Sequence, residues 1–365
     1  MPEISRFYTL DVTALTPLHI GSGRELLRDY DYVVRQGRTW RIDEDALLDA
    51  ALGGGEFDEA LLRRPAAELL QPDDFAFGSP LFRYVIKGTP RSREKGARLR
   101  DQIKDAFDRP YLPGTSLKGA FRTALFDWAL AQDPQALDTG RLKQSRKWAA
   151  QPIERALLGR NPNHDLLRAL HVTDSAPLDP NESLYVVNAQ VLTGKQVGSP
   201  IEVEAVRHKT CFHTTVKLDL ALFTPQAERV LHLGRQRAWL EDLMSICRDR
   251  TTAILAAERD WFARHYPGSD AARIYASWHD QMPRLPAYRC LLQVGWGGGW
   301  LNKTVGLRLS DNQREEVIRR YRLARGRRQH GDPFPRSRRV VLDKQGQPIA
   351  PLGWVQVDMK PEVNQ

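Results

Sequence analysis

Residues 7–24 read FYTLDVTALTPLHIGSGR, and this stretch decides the architecture. From Phe7 to Leu18 apolar and polar positions alternate with a period near two, as along a half-buried strand. HIGSGREL (19–26) follows as a turn-rich segment. Glycines there let backbone N–H groups approach an anion closely, so Gly21, Ser22, Gly23 and Arg24 are candidate phosphate contacts.

Working outward, residues 30–42 predict a hairpin turning at Gln36-Gly37, and Asp43 can cap a helix over 44–52. Residues 53–110 lack a clear period, and the Arg- and Lys-rich part at 83–109 reads as a solvated insertion. PYLPGTSLKGAFRTALFDWAL (110–130) predicts a helix capped by Thr115 or Ser116, with Leu117, Phe121, Leu125 and Trp128 on one face. A shorter helix is expected around 153–158. Strands follow near 170–174, 184–192, 201–206 and 212–222. Residues 225–265 turn helical, 289–294 form a strand, 312–323 a helix, and the end folds as a hairpin around 344–347. Strands at both ends and in the middle, with helices between, give an α+β class.

The chain has 365 residues, 41% hydrophobic and 27% charged, enough for a sizeable core and for two domains, placed at 1–175 and 176–365. A net charge of +9 calls for an anionic partner: nucleic acid, a membrane surface or an acidic protein. The three cysteines, Cys211, Cys247 and Cys290, form no CxxC pair, so we expect no metal site and no cofactor. No run approaches the roughly 18 apolar residues of a membrane span, and the opening residues read as a strand, so a cytoplasmic protein is expected.

Three further segments carry candidate chemistry. Ser116, Lys118 and Arg122 lie at the start of the predicted helix, whose N-terminus offers free N–H donors and partial positive charge. Lys118 precedes Gly119, so the segment is not a nucleotide-binding P-loop. VGWGGGWLNKTVG (294–306) exposes the backbone of Gly297, Gly298 and Gly299 beside two tryptophans able to stack on bases and Lys303 able to meet a phosphate. Nine arginines fall at 319–339, interrupted by Pro333-Phe334-Pro335.

Together LTPLHIGSG (15–23), YLPGTSLKGAFRTAL (111–125), the glycine-rich loop and DPFPRSRRVV (332–341) with PLGWV (351–355) resemble the RAMP superfamily of CRISPR-associated proteins. In order and spacing they look like the end-capping subunit of type III-A (Csm) effector complexes. The resemblance implies two ferredoxin-like (RRM-like) domains with helical insertions and a C-terminal glycine-rich loop. It also implies binding of crRNA near its 3′ portion, contact with neighbouring Csm backbone subunits, filament capping in antiviral defence and support of crRNA maturation, with target RNA as an open further partner. Two enzymatic alternatives stay open. His19 suits a metal-independent endoribonuclease acting on precursor crRNA. Asp29 and Asp31 occupy the region where the target-cleaving backbone subunit carries an aspartate.

Overall fold

Leu10, Val12 and Ala14 are wholly buried while Thr9, Asp11 and Thr13 point to the other side, the alternation expected of β1 (Ser5–Ala14). The computed structural model describes residues 4–53, 63–194, 196–324 and 328–362. The strands after β1 are β2 (Gly21–Leu27), β3 (Tyr32–Arg35), β4 (Arg38–Ile42), β5 (Phe82–Lys87), β6 (Arg98–Gln102), β7 (Leu170–Val172), β8 (Leu184–Thr193) and β9 (Gln196–Val197). The later ones are β10 (Ile201–Val206), β11 (Cys211–Asp219), β12 (Arg289–Gln293), β13 (Ser337–Leu342), β14 (Pro348–Pro351) and β15 (Trp354–Pro361).

Two sheets result. The first runs β12-β15-β1-β11-β7, so the N-terminal strand β1 lies between the C-terminal β15 and the mid-chain β11. The second runs β2-β6-β10-β8-β5-β4-β3, with β9 and β13 also pairing with β8, and β14 with β13. In this α+β arrangement, the helices Gly114–Gln132 and Leu243–His265 contribute buried faces to the main core. Both sheets draw strands from each side of residue 175.

Local chemistry explains the elements. Gln36 and Gly37 both take positive φ (49° and 72°), the two-residue turn that suits a right-twisted hairpin. Asp43 caps the helix Glu44–Leu52 by accepting from the Ala46 N–H at 3.1 Å.

Several expectations need correction. The segment 19–26 is a strand for most of its length rather than a turn, because Gly21 and Glu25 both pair with β6 and a bulge takes up the residues between them. Residues 53–110 contain β5 and β6; Leu99 is buried between arginines in β6, and that alternation is masked by the local charge. The helix at 114 begins earlier than expected, with neither Thr115 nor Ser116 as its cap. Its first N–H, from Gly114, instead reaches the Asp174 carboxylate 60 positions away at 2.7 Å. A Cβ at Gly114 would stand 2.3 Å from the Val172 carbonyl, which explains the glycine. The helical run at 225–265 is broken into Pro225–Leu231, Arg237–Glu241 and Leu243–His265, and a further helix, Asp270–Gln281, follows.

Candidate nucleic-acid interface

The bulge in β2 is the starting point. Gly21 pairs with Gln102 and Glu25 with Arg100, so three residues, Ser22, Gly23 and Arg24, face one on the partner strand and are pushed outward. Gly23 adopts φ 92°, open to glycine at no cost. Ser22 Oγ donates to Asp101 at 2.7 Å and accepts from the Arg24 N–H at 3.1 Å, which fixes the loop.

Beneath it lies a buried ionic cluster. Lys104 Nζ sits 2.5 Å from Asp101 and 2.7 Å from Glu204, and Tyr84 donates its hydroxyl to Glu204 at 2.8 Å. Burial alone would lower Lys104, but the two carboxylates raise it above its usual pKa. Burial raises Glu204; at Asp101 burial pushes upward, and the Lys104 ammonium outweighs it and holds the carboxyl below its ordinary value. The cluster joins β6 to β10 under the bulge, so it holds the loop's base rather than presenting charge to solvent.

The glycine-rich loop locks against the same place. Trp296 donates its N–H to the His19 carbonyl at 2.7 Å. Gly295, at φ 70°, passes so close that a Cβ would lie 2.4 Å from that oxygen. PLGWV closes the knot: Gly353 donates to the Pro17 carbonyl at 2.8 Å, and the Trp354 N–H to Thr16 Oγ1 at 2.9 Å. Trp296 lies 6.0 Å edge-on from His19, with the guanidinium groups of Arg100 and Arg339 at 5.2 and 5.1 Å from its ring. Trp300, by contrast, packs on Gly306 and stands edge-on to Phe334 at 5.0 Å.

The three segments enclose a cleft of about 670 Å³. The β2 bulge supplies Gly21, Gly23 and Arg24; the helix supplies Thr115, Ser116, Gly119, Ala120 and Thr123; the far wall is Gly295, Trp296, Asn302 and Lys303. Arg100 and His19 lie between them. Of the lining carboxylates, Glu25 pairs with Arg98 at 2.9 Å and Asp101 with Lys104. Arg24, Arg100 and Lys303 have no carboxylate within ion-pair distance among the described residues. The cleft is therefore cationic, and partial burial with the charge of Arg339 lowers the Lys303 ammonium from its usual pKa.

Other candidates lie elsewhere. Lys118 and Arg122 share a helix face, as their spacing requires, but it is not the face carrying Ser116, Gly119 and Thr123. Arg122 donates to Glu154 at 2.5 Å and, bidentately, to Asp165 at 2.9 and 2.7 Å. Gly297, Gly298 and Gly299 line a smaller hollow beside the cleft, with Arg338 and Arg339. Asp31 accepts from the Leu27 N–H at 2.5 Å, and Asp29 lies 3.8 Å from Arg28; neither lines the cleft. His19 is 2% exposed; its Nδ1 lies 2.6 Å from the Glu204 carbonyl, and burial depresses its pKa to about 4.

In the basic stretch many cations are engaged internally. Arg320 donates to the Thr139 and Leu142 carbonyls, Arg328 to Glu315, and Arg338 to Glu258 at 2.6 Å. Arg319, Arg322 and Arg336 are exposed, while Arg325 and Arg327 lie outside the described residues.

Sequence reading missed Arg100, whose strand was not recognised, and Arg250. Arg250, in the helix Leu243–His265, donates to the carbonyls of Leu301, Asn302 and Thr304 and pairs with Asp127 at 3.2 Å. It thereby ties the short helix Gly299–Lys303, and so Lys303, to the helix that starts the cleft. Only the pairing of a buried arginine with a buried aspartate in the folded state reveals it.

A family model described as the RAMP superfamily matches residues 11–302. The CRISPR system protein Csm5 of Methanocaldococcus jannaschii is 23% identical over 98% of this chain and 90% of its own length. Csm5 of Streptococcus thermophilus is 30% identical over 65% of this chain and 70% of its own length. Among solved structures, a chain of a Csm–crRNA–target RNA ternary complex from a type III-A CRISPR-Cas system superposes with TM-score 0.74 at 24% identity, covering 97% of this chain and all of that one. Csm5 of T. onnurineus superposes with TM-score 0.66 at 24% identity, over 94% and 99% of the two chains.

Proposed function

The chain belongs to the RAMP superfamily, and within it to the Csm5 proteins, and from that premise we propose that it is the crRNA-binding, end-capping subunit of a type III-A Csm effector complex. The observation that carries this reading is the convergence of three segments, far apart in sequence, on one cation-lined cleft with glycine backbone on two walls. In this reading RNA phosphates lie along the β2 bulge and the start of the long helix, where Gly21, Ser22, Gly23, Arg24 and Ser116 offer N–H, hydroxyl and guanidinium donors. Lys303 and Arg100 meet the backbone from the far wall, and the path continues over Gly297, Gly298 and Gly299. Trp296, with the guanidinium groups of Arg100 and Arg339 near its ring, is the aromatic side chain that meets a base in this reading. Lys118 adds charge beside the path, and Arg122 braces the helix through Glu154 and Asp165.

The two sheets correspond in this reading to two ferredoxin-like units that exchange strands across residue 175. Neighbouring Csm subunits and crRNA are the partners, with target RNA passing nearby. No helix among the described residues is long and apolar enough to cross a membrane. The reading favours binding over cleavage, because burial keeps His19 neutral and hydrogen-bonded to a backbone carbonyl. The test is photocrosslinking of 4-thiouridine-substituted crRNA to the reconstituted complex. Adducts at Trp296 and in 21–24 are expected; adducts confined to surfaces outside the cleft refute it.

A further inference from the structure

A second constellation shares no residue with the cleft. Asp11 on β1 and His213 on β11 are direct partners in the antiparallel register, and Cys211 stands two residues before His213, opposite Thr13. Residues two apart on a strand face the same side, so all three side chains project from one face of the five-stranded sheet. Their carboxylate oxygen, thiol sulfur and imidazole nitrogen lie within 4.8 Å of one another. His213 Nδ1 and Asp11 Oδ1 are 2.7 Å apart.

We propose that Asp11, Cys211 and His213 bind one divalent transition-metal ion, Zn²⁺ being the ion this sulfur, nitrogen and oxygen donor set suits, with solvent as the fourth ligand. Ligands about 2.0–2.3 Å from a tetrahedral ion stand roughly 3.3–3.7 Å apart. The Asp–His pair therefore opens by about half an ångström, within reach of side chains that are partly exposed. The surroundings allow a cation. Asp11's other cross-strand neighbour, Asp358, is held by Arg289 through two bonds of 2.6 Å, and no lysine or arginine stands directly opposite any of the three ligands in the strand register. Cys247 and Cys290 are buried, which leaves Cys211 as the thiol a solvent ion reaches. A bound ion would staple β1 to β11, two strands some two hundred residues apart in sequence. Spacing along the chain gave no sign of it, because no two of the cysteines are close and the aspartate comes from a distant strand.

The test titrates Co²⁺ into the tag-free full-length chain under a non-thiol reductant. One equivalent should produce a thiolate-to-cobalt charge-transfer band, displaced by Zn²⁺. Cys211→Ser should abolish that band and weaken Zn²⁺ binding by more than the roughly 10- to 100-fold that loss of a supporting residue costs. Asp11→Asn should also weaken it, and Zn²⁺ should raise the melting temperature of the unaltered chain but not of Cys211→Ser. Cys211 is only partly buried and serine is nearly isosteric, so this variant is expected to fold, with far-UV circular dichroism as the check. Absence of a thiolate band in the unaltered chain overturns the proposal, as does a band or a Zn²⁺-induced melting shift that survives in Cys211→Ser.

Discussion

Replacing Arg24, Arg100 and Lys303 together by glutamine removes three cleft cations without breaking an ion pair, because none of the three has a carboxylate partner among the described residues. Surface changes of this kind usually alter stability by less than about 0.5 kcal/mol, with a further loss of about 0.5–1 kcal/mol where Arg100 leaves the Trp296 ring. Their effect on RNA is larger and has a characteristic form. Each phosphate neutralised on a single strand contributes about 0.7 to the slope of log affinity against log salt. Losing three contacts should flatten that slope by about 2. Between about 50 and 200 mM salt the unaltered chain would then lose roughly twentyfold more affinity than the variant, and the variant's deficit would shrink accordingly. Fluorescence anisotropy with a labelled single-stranded RNA, run across that salt range on both proteins, reads the two slopes. Parallel slopes would refute the reasoning even if the variant bound more weakly, since they would mean that no phosphate contact had been removed.

Arg250→Ala leaves Asp127 buried with Arg308 as its remaining cation at 2.7 Å and three carbonyls without their donor; a loss of about 3 kcal/mol in urea unfolding is expected. Gly295→Ala places a Cβ against the His19 carbonyl at positive φ, so a destabilisation of about 1–3 kcal/mol with weakened RNA binding should appear in thermal melts and anisotropy. Arg122→Ala leaves Glu154 and Asp165 without the cation they share, and should lower stability by about 1–3 kcal/mol in urea unfolding while changing RNA affinity less than the cleft variant does. The folded pKa of His19, about 4, lies below the unfolded 6.5, so its contribution is intact above pH 6.5. As pH falls from 6.5 to about 4 the unfolded chain takes up a proton that the folded one refuses, at a cost of about 3 kcal/mol, and the loss levels off below that. Urea unfolding across this range should show a slope in the unaltered chain that shrinks by the His19 share in His19→Gln.

The strand-forming alternation of 7–14, the hairpin at Gln36-Gly37, the long helix after Pro113 and the order of the glycine-rich segments were legible in the linear chain, because each depends on residues close together in it. Local charge hid β5 and β6, and with them Arg100, since arginines flanking one buried leucine in β6 resemble a solvated run. The basic pair Lys118 and Arg122 was legible as a shared face, but not which way that face turned; Glu154 and Asp165, 32 and 43 positions on from Arg122, decided it. The cleft was likewise unreadable as a cleft. Gly295 meets the His19 carbonyl, Gly353 meets Pro17 and Arg250 grips the carbonyls of Leu301, Asn302 and Thr304 only when strands from both ends of the chain pair in one sheet. Backbone propensity acts over a few residues, whereas a site assembled from contacts between distant segments exists only after the core has brought them together.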